Sequence, residues 1–158
     1  MSEDVNWDEK VEEILKMMNI DENDFKRIKG ASQVHEMIIE AIEEEWSKHR
    51  QPIFKEKKQL LDFVGRQIPH YGKIELVVEV DTWHKPSDNW RKLLDINAKK
   101  KIWVYLAKNP KEADENFEEA LREFRKLAKI RGEDKSNNVT LFMKVPGRQE
   151  VKKRYLFE

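Results

Sequence analysis

Glu79 and Asp81 stand two residues apart at the close of an apolar run, Ile74–Val80 (IELVVEV), and His84 with a charged segment follows at once. A strand places residues i and i+2 on one face, so the two carboxylates point together. Adjacent carboxylates repel unless a cation or a shared proton neutralises them. That is the local chemistry of a hard, oxygen-ligated metal site. The competing reading is a solvated or lysine-paired strand end. The position favours a ligand, because the run reads as buried on both faces and α/β sheets bind ligands beyond the carboxyl ends of such strands.

Further residues extend this candidate. Asp62, in Leu60-Leu61-Asp62-Phe63-Val64, is expected mid-strand on the neighbouring strand, where a third carboxylate completes an oxygen cage for Mg²⁺ or Mn²⁺; alternatively a backbone N–H, Lys57 or Lys58 satisfies it. Glu45 lies only about 20° from the apolar stripe of its helix, and an inward carboxylate needs a partner. It either reaches over the acid cluster to a metal-bound water or pairs with Lys or Arg at the helix end. His84 is placed to act as a general base or to hydrogen-bond a scissile phosphate, or is polar surface. On the helix expected from Asp88, Arg91 lies about 100° from the apolar stripe and Lys92 about 160°, so Arg91 leans toward the sheet end and Lys92 looks solvated. A cation there stabilises the charge that develops in phosphoryl transfer. His35, His49 and His70 show no metal-ligand spacing to one another, which argues against zinc. Basic clusters at Lys55/Lys57/Lys58, Lys99–Lys101 and Arg148/Lys152/Lys153/Arg154 line a nucleic-acid channel or are solvated faces balanced by Glu.

The elements that must position these groups follow from periodicity. Trp7, Val11, Ile14, Leu15 and Met18 recur at helical spacing, and a short second helix is expected from Asp21 to Gly30. A longer helix over Gln33–His49 carries Val34, Ile38, Ala41, Ile42 and Trp46 on one stripe. Residues 53–72 read either as a strand turning through Pro69-His70-Tyr71-Gly72 into the long apolar run, or as a helix from Pro52. The turn residues and the β-branched partner favour the hairpin. A helix over Asp88–Lys99, a strand over Lys101–Ala107, a helix over Lys111–Ile130 and strands over Asn138–Val145 and Val151–Phe157 complete the chain. The fold class is therefore α/β: a mixed β-sheet flanked by helices over residues 32–158, preceded by an N-terminal helical extension over residues 1–31.

Composition narrows the class. The 158 residues suffice for one domain with a real core. Thirty-one Lys and Arg balance thirty-one Asp and Glu, so nucleic-acid contact must come from a local patch and not from net charge. The absence of cysteine removes disulfides, thiolate zinc sites and Cys nucleophiles. No run is apolar for the roughly 20 residues needed to span a bilayer and no signal peptide opens the chain, so a cytoplasmic protein is expected.

Together these segments resemble the PD-(D/E)XK, or restriction-endonuclease-like, nucleases, and within them the branch related to very-short-patch repair endonucleases. The resemblance rests on LLDFV (60–64), VVEVDTWH (77–84) and DNWRKLLDI (88–96), followed by KIWVYL, and covers about Gln33–Ala107. It implies divalent-metal-dependent endonucleolytic hydrolysis of DNA phosphodiesters. Asp62, Glu79 and Asp81 would bind Mg²⁺ (or Mn²⁺), and His84 and Arg91 would contact or activate the reacting groups. Lys57, Lys58, Arg91 and Lys92 are the candidate DNA contacts. Asp81 stands where most relatives carry lysine, and Thr82 replaces the glycine that often follows E-x-D. The alternative is a nuclease-fold module without catalysis that binds nucleic acid or protein, with the N-terminal helices serving a homodimer or another partner.

Overall fold

A computed structural model describes residues 4–18, 30–50, 61–68, 71–81, 88–107, 110–132, 138–145 and 147–157. Helix α1, Trp7–Met17, starts because the Asn6 side chain accepts the Glu9 N–H at 3.2 Å and Asp8 and Glu9 sit against the positive end of the helix dipole. Helix α2, Gly30–His49, buries Val34, Ile38, Ile42 and Trp46 at the predicted spacing. The short helix expected over Asp21–Gly30 falls almost wholly outside the described residues.

Five strands follow: β1 Phe63–Ile68, β2 Tyr71–Asp81, β3 Ala98–Leu106, β4 Val139–Lys144 and β5 Val151–Tyr155. They form one mixed sheet in chain order, with antiparallel outer pairs β1–β2 and β4–β5 and parallel inner pairs β2–β3 and β3–β4. Of residues 53–72, 53–60, 69 and 70 lie outside the described residues, and the rest agree with the hairpin reading, β1 running antiparallel to β2 with Phe63 opposite Val78. Its first strand begins later than expected, which moves Asp62 from mid-strand to the bend one residue before β1. The segment before β3 is a 3₁₀ helix, Asp88–Asp95, shorter than the helix predicted to Lys99. It ends early because Ile96 is drawn into the core and Ala98 already pairs with Ile74 of β2. Helix α3, Ala113–Ile130, joins β3 to β4.

Two apolar layers sandwich the sheet. On one face α1 and α2 cover Phe63, Leu76, Val78, Val80, Ile102, Val104 and Phe142. On the other, α3 and the 3₁₀ helix cover Val77, Trp103, Tyr105, Leu141 and Met143. Central strands covered on both sides are apolar throughout, as the near-continuous runs of β3 and β4 show. Gly65 in β1 allows a close approach: a Cβ there would come within 2.6 Å of the Trp46 ring.

The boundary expected at residue 31 does not mark a separate layer. Residues 30 and 31 belong to α2, and α1 shares its core: Trp7 stacks on Trp46 with ring centroids 5.2 Å apart. Asp8 pairs with Lys100 of β3 at 2.7 Å, and Glu12 approaches Lys153 of β5 at 3.9 Å. The apolar stripe of α1 is buried inside the molecule at Trp7, Val11 and Leu15. Among the described residues no helix is long and apolar enough to cross a membrane.

Candidate functional site

The carboxyl end of β2 brings together residues from three places in the chain. Asp62 and Glu79 are laced reciprocally: the Asp62 N–H donates to Glu79 Oε2 at 3.3 Å, and the Val80 N–H donates to Asp62 Oδ2 at 2.7 Å. This exchange exists because the hairpin places the entry to β1 against the exit of β2. His35 of α2 reaches the same oxygen, with Nε2 3.1 Å from Asp62 Oδ2. From the 3₁₀ helix, Lys92 Nζ stands 3.6 Å from Glu79 Oε1. The result is a row, His35, Asp62, Glu79, Lys92, in which two adjacent acids are flanked by a histidine and a lysine.

The electrostatics follow from that crowding. Glu79 is 2% exposed. Burial, and then the Asp62 charge, push its carboxyl up to about 7 against the opposing pull of Lys92, the Asp62 amide and His35. His35 is held above its ordinary value chiefly by its hydrogen bond to Asp62, with burial working the other way. Asp81, equally buried, lies in register with Tyr105 of β3. Burial, reinforced by the charges of Asp81 and Glu112, pushes the Tyr105 hydroxyl up to about 12, although a hydrogen bond with Asn116 of α3 opposes this.

The predicted residues therefore divide. Asp62 and Glu79 meet as expected, but the three-carboxylate cage does not form: among the described residues no group of three or more His, Asp or Glu side chains is arranged to hold a metal ion. What remains is a two-carboxylate site of oxygen donors. That donor set still suits Mg²⁺, which is commonly held by one or two carboxylates with waters and substrate phosphate completing its shell. His84, Lys57 and Lys58 lie outside the described residues.

The cation assignment changes. Arg91 is exposed and sits over the Trp90 ring, its guanidinium carbon 5.5 Å from the centroid, whereas the residue expected to be solvated, Lys92, reaches Glu79. A helical wheel reports only the angle about the element's own axis, and a four-carbon stem can carry an ammonium well off that angle. Glu45 does not join the acids either. It lies 3.3 Å from Lys48, 3.2 Å from His49 and 3.9 Å from Lys10. Burial disfavours its charge, but those partners outweigh it and hold its carboxyl below the usual range. The inward stripe position thus reflects an ion pair at the helix end.

Metal-ligand spacing does not single out His35, which has no second histidine at ligand spacing. The usable signal was different: it stands three, four and seven residues before Ile38, Ile39 and Ile42, on the buried stripe of α2. A histidine there needs an internal partner, and the partner is Asp62.

The basic clusters are largely spoken for. Lys152 pairs with Asp114 and Glu118, Arg154 with Glu118, Lys153 with Glu12 and Lys100 with Asp8, while Lys101 is buried. Among the described residues these side chains lie on charge-balanced faces, and Lys55, Lys57 and Lys58 fall outside the described residues.

No protein-family model matches the chain, and neither does any curated protein or solved structure.

Proposed function

We propose that the carboxyl end of β2 is a divalent-cation site for endonucleolytic hydrolysis of DNA phosphodiesters. Asp62 and Glu79 would hold Mg²⁺ or Mn²⁺. The observation that carries this reading is the interlock of Asp62 and Glu79, 17 residues apart in sequence: the Asp62 N–H donates to the Glu79 carboxylate and the Val80 N–H to the Asp62 carboxylate, at the end of a parallel strand in surroundings that make the bare Glu79 anion costly. Bound there, a divalent ion lowers the pKa of a water and neutralises charge on a phosphate. Glu79 is buried and oriented by the Asp62 amide; Lys92 supplies the fixed positive charge beside it. Asp81, buried at the end of the same strand, lies in register with Tyr105. His84 keeps its sequence-based role as the candidate base and Arg91 that of an outer contact to DNA. A cytoplasmic setting goes with this substrate.

The second reading, a module of the same fold without catalysis, is favoured by one specific observation. Both acids already have protein partners, and the described basic clusters are neutralised by acids.

The test is to incubate supercoiled, linear, nicked and branched DNA with Mg²⁺ or Mn²⁺, comparing wild type with Glu79→Ala. Metal-dependent cleavage that the variant loses by two or more orders of magnitude is the expected result. Cleavage undiminished in the variant sinks the site assignment. Binding of DNA without cleavage selects the second reading.

A further inference from the structure

We propose that His35 is a positioning residue that fixes Asp62 for cation binding, an inference that rests on the two-carboxylate site proposed above. Both donors to the Asp62 carboxylate converge on a single oxygen. The Val80 N–H reaches Oδ2 at 2.7 Å and His35 Nε2 reaches the same atom at 3.1 Å. Among the described residues, Oδ1 receives no hydrogen bond. A carboxylate in a purely structural role, such as Glu75, spreads its donors over both oxygens: Trp7 Nε1 lies on Oε2 and Arg50 Nε on Oε1. Asp62 instead has one oxygen pinned from two directions and the other presented. The carboxyl plane is thereby fixed without occupying the oxygen a cation would take.

The two donors are not equivalent. The Val80 amide belongs to the strand that carries Glu79. His35 arrives from a separate element, α2, so its ring adds a second, independent constraint on the same carboxylate oxygen. The contact requires the proton on Nε2, and its negative partner keeps it there. Outer partners of this kind orient the ligands they touch, and their loss typically costs about 10–100-fold in metal affinity. His35 is three-quarters buried on α2, beside the buried Val34, Ile38 and Ile39, so the donor is held by packing and not by chance encounter.

The experiment measures Mn²⁺ binding to the substrate-free protein by electron paramagnetic resonance, for wild type, His35→Ala and His35→Gln, with far-ultraviolet circular dichroism on the same samples. The glutamine amide places a donor nitrogen near the imidazole Nε2 position and preserves most of the volume. The expected result is affinity weakened at least tenfold in His35→Ala and restored to within about threefold of wild type in His35→Gln. Should DNA cleavage be found, the alanine variant should also lower kcat at saturating Mn²⁺ by less than it does at limiting Mn²⁺. Equal affinity in wild type and His35→Ala overturns the positioning role and leaves the acid pair standing. An equally deep loss in folded His35→Gln also overturns it, because the donor would then not be what matters. Wild type that binds no Mn²⁺ at millimolar concentration removes the metal site itself, and this inference with it.

Discussion

Strand β2 carries two buried glutamates four residues apart, and the protein treats them in opposite ways. Glu75 accepts Trp7 Nε1 at 2.6 Å and Arg50 Nε at 3.0 Å, one donor on each oxygen. It is a bolt: it ties α1 and the end of α2 to the sheet. Glu79 accepts one amide at 3.3 Å, sees a lysine only at 3.6 Å, and feels the charge of Asp62. One end of the strand satisfies its charge and the other leaves it strained. Burial is nearly the same at the two positions, so donor supply is what separates a stabilising acid from one poised for a cation.

The largest effect expected is at the satisfied end. Glu75→Ala leaves Arg50 and the Trp7 indole buried without their acceptor and should cost about 3–5 kcal/mol in urea denaturation, while leaving Mn²⁺ binding of the folded fraction intact. A loss below 1 kcal/mol would erase the contrast drawn above.

The next concerns pH and the strained end. The folded value of Glu79, about 7, lies above its ordinary 4.5, so the native state binds a proton that the unfolded chain has released. The stability from that proton is complete below pH 4.5 and is lost as pH rises through 7. It amounts to something on the order of 3 kcal/mol. Wild type should therefore lose stability relative to Glu79→Gln between pH 4.5 and 8, and millimolar Mg²⁺ at pH 8 should recover part of it in wild type only. Parallel stability–pH curves for the two proteins would contradict the assignment.

Smaller effects locate the rest of the molecule on the same scale. Gly65→Ala drives a methyl into the Trp46 ring beside the α1 anchor and should cost about 1–3 kcal/mol with no change in metal affinity. Lys152→Ala removes partly exposed pairs to Asp114 and Glu118 and a contact with the Phe117 ring and should change the free energy of unfolding by less than about 1 kcal/mol. Either variant altering Mn²⁺ binding would show that the site is coupled more widely through the sheet than its contacts imply.

Local periodicity carried most of the fold. The stripe Val34, Ile38, Ile42, Trp46 and the runs of β2, β3 and β4 encode burial directly, and the hairpin was readable from turn residues beside a β-branched partner. The close of β2 was readable too, because two acids at the end of an apolar strand violate the pattern around them. What could not be read were the meetings through space. His35 and Asp62 are 27 residues apart on a helix and a bend, and their contact depends on how α2 lies across β1. Glu45 and Lys92 show the same limit in reverse: a wheel gives the angle of a side chain but not what stands beside it. The 3₁₀ helix shares its apolar residues with an α-helix over so short a span, so its pitch was decided by the start of β3.

The seating of α1 has a consequence for how the chain comes together. Its partners lie far downstream: Asp8 on Lys100, Glu12 on Lys153, and the helix body against β4 and β5. Synthesis delivers the first helix early and its final neighbours last. Until β4 and β5 have emerged, α1 is held by its packing on α2, through Trp7 on Trp46, and lacks its pair to Lys153. Helix α1 is thus locked in full only when the last strands arrive, and a nascent chain halted before residue 139 leaves it seated on α2 without them.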